Sequence, residues 1–145
     1  MIRDWRPEDH PAIARLWHAA WQATMPAIDF SARLDWLEAH LARLRADGVV
    51  ILCAVNEADQ AIGFATIDPA TGDMDQLAVA PEAFGAGVAI ALLGEVKRRA
   101  PGRVVLSVNR DNPRAVRFYA REGFRTIGTG VNPGSGLGIL HMEWP

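Results

Sequence analysis

The sequence predicts one mixed α/β domain, and three observations carry that reading. Its 145 residues, half of them hydrophobic, suit a single soluble core and are too few for two ordinary ones. Apolar residues recur at helical spacing from Ile13 to Leu44, then gather into strand-length runs from Val49 onward. Beyond Pro81, strand-like and helix-like stretches alternate between Gly and Pro breaks, with no linker, low-complexity tract or internal repeat.

Taken in order, Ile2–Arg6 is expected as a short first strand. Pro7 suits the first turn of a helix, where its missing N–H costs nothing. Ile13, Leu16, Trp17, Ala20 and Trp21 continue a buried face to about Ala23, and Met25–Asp29 breaks it. Ser31 is the expected N-cap of a second helix through Ala46, with Leu34, Leu37, Leu41 and Leu44 on one face and Gly48 at its end. Val49–Val55 and Ala61–Asp68 read as strands paired antiparallel across the polar turn Asn56–Gln60. After the turn Pro69–Gly72 comes a third strand, Met74–Val79. The next helix carries Ile90, Leu93 and Val96 and closes on Lys97-Arg98-Arg99, as the helix dipole favours; Pro101-Gly102 stops it. Val104–Val108 is a strand and Asn109–Asn112 a loop. Asn112 and Pro113 start a helix as cap and first residue, and Gly123 ends it. Phe124–Thr129 is a strand, Gly130–Gly136 a loop, and Leu137–Trp144 a closing strand.

Charge and composition narrow the function classes. Fifteen basic against 17 acidic residues leave no basic excess to displace counterions, so nucleic acid is not the expected partner. The opening stretch MIRDWRPEDH is charged at once, and no apolar run reaches membrane-spanning length. A cytoplasmic protein with no membrane partner is expected. The lone cysteine, Cys53, lies in the run VVILCAV and reads as a small buried hydrophobe. His10, His18, His40 and His141 show no metal-ligand spacing with one another or with Cys53, so no metal is expected.

Two segments carry chemistry. In the first, Phe84-Gly85-Ala86-Gly87-Val88-Ala89, small residues stand where a helix begins. Bare backbone there exposes outward-pointing N–H groups to an anion such as a diphosphate, although the same pattern also serves tight packing. In the second, Asn112, Ala115, Phe118, Tyr119, Gly123 and Phe124 fall in the pattern Asn-x-x-Ala-x-x-Phe-Tyr-x-x-x-Gly-Phe, after a strand and at a helix start. Together the two segments resemble the acyl-CoA-binding core of the GCN5-related N-acetyltransferases (GNATs), and the order of elements resembles that family along essentially the whole chain.

The resemblance implies a mostly antiparallel central sheet flanked by helices, with two splayed parallel strands holding acetyl-CoA. Gly87 and Ala89 match the small positions of the family's loop motif. Phe84 stands where a polar residue is usual, and Ala86 where a basic one is common, so Gly85 through Ala89 would hold the diphosphate through main chain. Backbone amides at Leu77, Ala78 and Val79 would polarise the thioester carbonyl. Asn109, Asn112, Ala115 and Phe118 would contact the cofactor's pantetheine arm. Tyr119, the only tyrosine, falls on the family's general-acid position; a phenol stays protonated at neutral pH and can donate to a departing thiolate.

The residue that takes the amine's proton is less marked. Asp73 and Asp75 share a face near the third strand; Asp73 reads as finishing its turn, leaving Asp75 as the candidate base. His141 is a further candidate on the closing strand. Trp21, Met25 and His141 are expected to line the acceptor site, whereas Leu16 and Trp17 read as core. The expected reaction is N-acetyl transfer to a primary amine of a small molecule, an amino acid or a peptide. An acyl-CoA-binding regulatory module is the alternative, favoured by Phe84 and opposed by Tyr119. The oligomeric state is open, with a homodimer compatible. A nucleotide-binding domain on a parallel sheet is disfavoured by the hairpin over 49–68.

Overall fold

The computed structural model describes all 145 residues. Its strands are β1 (Ile2–Asp4), β2 (Val50–Val55), β3 (Ala61–Ile67), β4 (Leu77–Val79), β5 (Val104–Asn109), β6 (Arg125–Val131) and β7 (Gly138–Trp144). Its helices are α1 (His10–Thr24), α2 (Leu34–Ala46), α3 (Val88–Arg99) and α4 (Pro113–Arg121). Antiparallel pairing gives one sheet in the order β1-β2-β3-β4 and a second in the order β5-β7-β6. The expected mixed α/β class, antiparallel apart from one parallel junction, is what forms.

Alternation along the strands decides which helix covers which face. On β2 and β3, Ile51, Cys53, Val55 and Phe64 pack with Ile13, Leu16 and Trp17 of α1 and Leu37 and Leu41 of α2. Leu52, Ala54, Ala65 and Ile67 point the other way, into a core shared with Leu92, Leu93 and Val96 of α3 and Tyr119 of α4. Burial on both faces explains why Val49–Val55 is continuously apolar. It also makes Cys53 the inert residue expected: burial, with Asp9 beside it, pushes its thiol up to about 12.

The two sheets meet at one short clasp. The amide of Met74 donates to the Val105 carbonyl at 2.9 Å, and the amide of Val105 to the Gly72 carbonyl at 2.9 Å. Asp73 and Val105 form the only bridge there, and it is parallel. Gly72 has φ +84°, and a Cβ on it would lie 2.2 Å from the Arg103 carbonyl oxygen, so only glycine fits.

Past this clasp the chain departs from the expected straight strand Met74–Val79. The amide of Thr66 donates to the Gln76 carbonyl and that of Asp68 to the Asp73 carbonyl. One residue therefore intervenes on β3 against two, Met74 and Asp75, on the facing side. Asp75 is the extra residue of a bulge. The buried Thr66 hydroxyl accepts from both the Asp75 and Gln76 amides, at 3.0 Å each. Beyond the bulge β4 and β5 are not paired, and a gap lies between the sheets.

Local chemistry corrects other boundaries. Ser31 is not the cap of α2: Asp29 caps a 3-10 turn over Phe30–Arg33 by accepting the Ser31 amide at 3.0 Å, and α2 starts at Leu34. Pro7–Asp9 is likewise a 3-10 turn ahead of α1. β6 runs to Val131, two residues beyond the expected end, because pairing with β7 continues to Val131–Gly138. Asp73 does finish its turn, its amide donating to the Thr71 hydroxyl at 3.2 Å.

Candidate active site

The gap between β4 and β5 is the floor of a cleft of about 690 Å³. Its walls follow from the ladders. Flanking pairs to β3 at Gln76 and Ala80 turn the peptide groups of Leu77 and Val79 away from β3, toward β5. The peptide groups of Ser107 and the N–H of Asn109 turn away from β7, toward β4, in the same register that sends Val105 to the clasp, while the Asn109 carbonyl accepts the Asn112 amide at 3.0 Å. An extended ligand bearing amides can lie between them as an added strand. Ala78 also lines the cleft, but the alternation directs its amide to β3 and not into the gap.

At one end of the cleft stands the glycine loop. The amides of Gly85, Gly87, Val88, Ala89 and Ile90 find no acceptor within the protein, and no side chain caps α3. Gly87, at φ +80°, makes the turn into the helix. Five free N–H groups at a helix N-terminus form an anion seat. Ala86 is the exception among the expected residues: its amide bonds the Ala83 carbonyl at 3.2 Å and it lies outside the cleft wall. Phe84 offers no hydrogen bond, but the guanidinium of Arg114, from the first turn of α4, lies 4.7 Å from its ring centroid. That stacked cation stands at the cleft where the sequence motif lacks a polar side chain.

A further wall comes from α4. Asn112 caps the helix, its side-chain oxygen accepting the Ala115 amide at 3.2 Å, and its amide nitrogen has no partner in the protein. Ala115, Phe118 and Tyr119 face the cleft beside it, with Asn109 from β5. Tyr119 is 8% exposed, its ring held edge-on between Phe118 and Phe124. Burial raises its phenol above the ordinary value, so it carries its proton throughout the neutral range. Its hydroxyl makes no hydrogen bond within the protein and is not sealed from the cleft.

The far side, where α1 and α2 approach, holds groups that the sequence reading did not single out. Asp75 Oδ2 lies 2.6 Å from His40 Nε2 and 3.2 Å from the Gln76 amide nitrogen. Arg43 lies 3.0 Å from His40 Nδ1. Trp36 stacks on the His40 ring at 4.5 Å and is 49% exposed. Trp21 lines this end, as expected. Met25 and His141 do not reach the wall; each touches a residue that does. Met25 Sδ is 3.7 Å from the Asn109 side chain, and His141 Nδ1 is 2.9 Å from Ser107 Oγ. Trp36, His40 and Arg114 escaped notice because only the packing of α2 and α4 brings them to the gap, and Ser107 because only the pairing of β5 with β7 turns it there.

A family model described as the Acetyltransferase (GNAT) family matches residues 2–124. The chain belongs to the GNAT acetyltransferase family. It is accordingly an acetyl-CoA-dependent acyltransferase. Among curated relatives, it is 30% identical over 127 residues to the peptidyl-lysine N-acetyltransferase YjaB of Escherichia coli strain K12, spanning 88% of this chain and 83% of that protein. It is 37% identical over 107 residues to the mycothiol acetyltransferase of Kineococcus radiotolerans, spanning 71% of this chain and 35% of that longer protein. The solution structure of apo-form YjaB from Escherichia coli superposes with a TM-score of 0.80 at 27% identity, covering 99% of this GNAT chain and 96% of that one.

Proposed function

We propose that this GNAT enzyme transfers an acetyl group from acetyl-CoA to a primary amine by direct attack, with Tyr119 as general acid and Asp75 as proton acceptor. The observation that carries the reading is the amide-walled gap, with an anion seat at one end and a protonated, unpartnered phenol facing it. The diphosphate would sit on the free amides of Gly85 and Gly87–Ile90. The pantetheine would pair with the peptide groups of Leu77, Val79 and Ser107, with the N–H of Asn109, and with the free amide nitrogen of Asn112. The amine nitrogen then attacks the thioester carbon, the C–S bond breaks, and Tyr119 donates its proton to the departing sulfur.

The acceptor reading favours an amine on an exposed stem, since Trp36, which lines the cleft with Trp21, is itself half-exposed to solvent. A lysine side chain in a peptide fits that end of the cleft, in line with the peptidyl-lysine relative. Arg114 weakens the case for a non-catalytic acyl-CoA-binding module, because it returns to the loop the cation that Phe84 lacks. The test is thiol release from acetyl-CoA in the presence of lysine peptides and small amines. Wild type is expected to turn over, and Tyr119→Phe to lose about 100-fold or more in kcat while CoA affinity holds. Coenzyme A binding without thiol release on any amine would leave the binding module standing.

A further inference from the structure

We propose that His40 is a positioning residue for the acceptor amine: it holds Asp75 so that the free carboxylate oxygen receives the substrate's ammonium group. The proposal rests on the amine-acetylation reading above and adds to it a residue from α2.

The hydrogen bonds fix the arrangement. Arginine has no acceptor, so Arg43 donates to His40 Nδ1, which must then carry no proton. The ring proton is therefore on Nε2, and that N–H donates to Asp75 Oδ2 at 2.6 Å. The Gln76 amide nitrogen donates to the same oxygen at 3.2 Å, and Gln76 is itself held by the Trp17 indole N–H at 3.2 Å. Trp36 lies nearly parallel to the imidazole, at 13°, and its indole fixes the plane of the ring. Every donor reaches Oδ2; Oδ1 takes no hydrogen bond from the protein, and the Asp75 side chain is 32% exposed at the cleft. His40 is 11% exposed, so this contact is built into the α2–β4 junction and is not a loose surface pair.

A bulge residue has no ladder to orient it, which is why Asp75 needs this external hold. With Oδ2 occupied, a cationic amine entering from the α1–α2 side has one open carboxylate oxygen to meet. One ammonium proton passes to Oδ1, leaving the nitrogen lone pair free to attack; the second nitrogen proton, released as the amide forms, returns through solvent to the Tyr119 oxygen that protonated the sulfur, and the Asp75 carboxylic acid loses its proton to water once the amide product leaves.

Steady-state kinetics with two nucleophiles test this: a lysine peptide, cationic at neutral pH, and hydroxylamine, which is uncharged there. His40→Leu should raise KM for the lysine peptide and lower its kcat/KM by about ten- to a hundredfold, the usual worth of a hydrogen bond to a charged group. It should leave hydroxylamine turnover and the KM for acetyl-CoA within about twofold of wild type. His40→Gln, whose amide nitrogen can replace Nε2–H, should recover most of the loss. Arg43→Met, at the exposed end of the line, cannot unfold the core and should show a smaller loss of the same kind. Equal losses on both nucleophiles, or equal behaviour of the Leu and Gln variants, would overturn the positioning role while acetyl transfer stood. A wild type that binds coenzyme A but acetylates no amine would overturn both.

Discussion

The Arg114 guanidinium, stacked on Phe84, places a cation at the position where the loop motif lacks a polar side chain. Phenylalanine cannot bond a phosphate, yet its ring gives the Arg114 guanidinium a flat surface beside the five free amides of the glycine loop. Removing that cation should weaken binding without disturbing the fold, because Arg114 is exposed on α4. Arg114→Ala is expected to raise the Kd for coenzyme A about tenfold, or roughly 1.4 kcal/mol, with a shallower salt dependence than wild type in calorimetric titrations. An unchanged Kd would remove Arg114 from the site. The helix entry at Gly87 and the cap at Asn112 were legible in the sequence because each depends on neighbours a few residues away, whereas Ala89 and Tyr119 were marked only by the family's motifs. Arg114, Ser107 and His40 were not, since each acts across a gap between elements distant in the chain. Of the acceptor residues expected from sequence, only Trp21 reaches the wall, whereas Met25 and His141 stand one residue behind it.

Between elements, the decisive feature is the bulge at Asp75. The turns, the period change at Gly48 and the caps at Asn112 and Gly87 are local signals, and the sequence displayed them. The run Met74–Val79 carries no such mark. What holds the extra residue is the hydroxyl of Thr66, on another strand, so Thr66 reads only as an ordinary strand residue. That hydroxyl is fully buried and accepts two amides, so Thr66→Val keeps the shape and strands both donors. The variant should lose about 2–6 kcal/mol in urea unfolding, at about 1–3 kcal/mol for each of the two stranded amides. It should also lose acetyl transfer beyond its loss of stability, because β4 would realign and carry Asp75 away from His40. A stable, fully active Thr66→Val would mean that the bulge is set by something else.

Across the whole molecule, two cores lie on opposite faces of a split sheet, and carboxylates at the seams couple their stability to pH with opposite signs. Arg3 of β1 grips Asp9 through two bonds of 2.8 Å, tying the first strand to the start of α1. This ion pair holds the Asp9 carboxyl below its ordinary value, so the unfolded chain takes up that proton first. The resulting stability is complete above the unfolded value and disappears as pH falls through the folded one, in the range below about 4. Asp73, at the clasp between the sheets, behaves in reverse. Partial desolvation against the clasp first, and the nearby charges of Asp75 and Asp68 second, raise its carboxyl above the unfolded value; the side chain reaches solvent, so the effect is small. Its charge therefore destabilises the fold at neutral pH, and the penalty is relieved as pH falls through the folded value. Asp9→Asn should lower stability by roughly 2 kcal/mol at pH 7, since it weakens two charge-assisted bonds and leaves the Arg3 guanidinium with Asp59, at 2.9 Å, as its one carboxylate partner. Asp73→Asn should raise the melting temperature at pH 7 and lose that advantage by about pH 3, where wild type is protonated too. Scanning calorimetry of wild type and both variants at these two pH values decides it. An Asp73→Asn protein less stable than wild type at pH 7 would show that the charge at the clasp holds the sheets together, which the absence of any cation partner for Asp73 argues against.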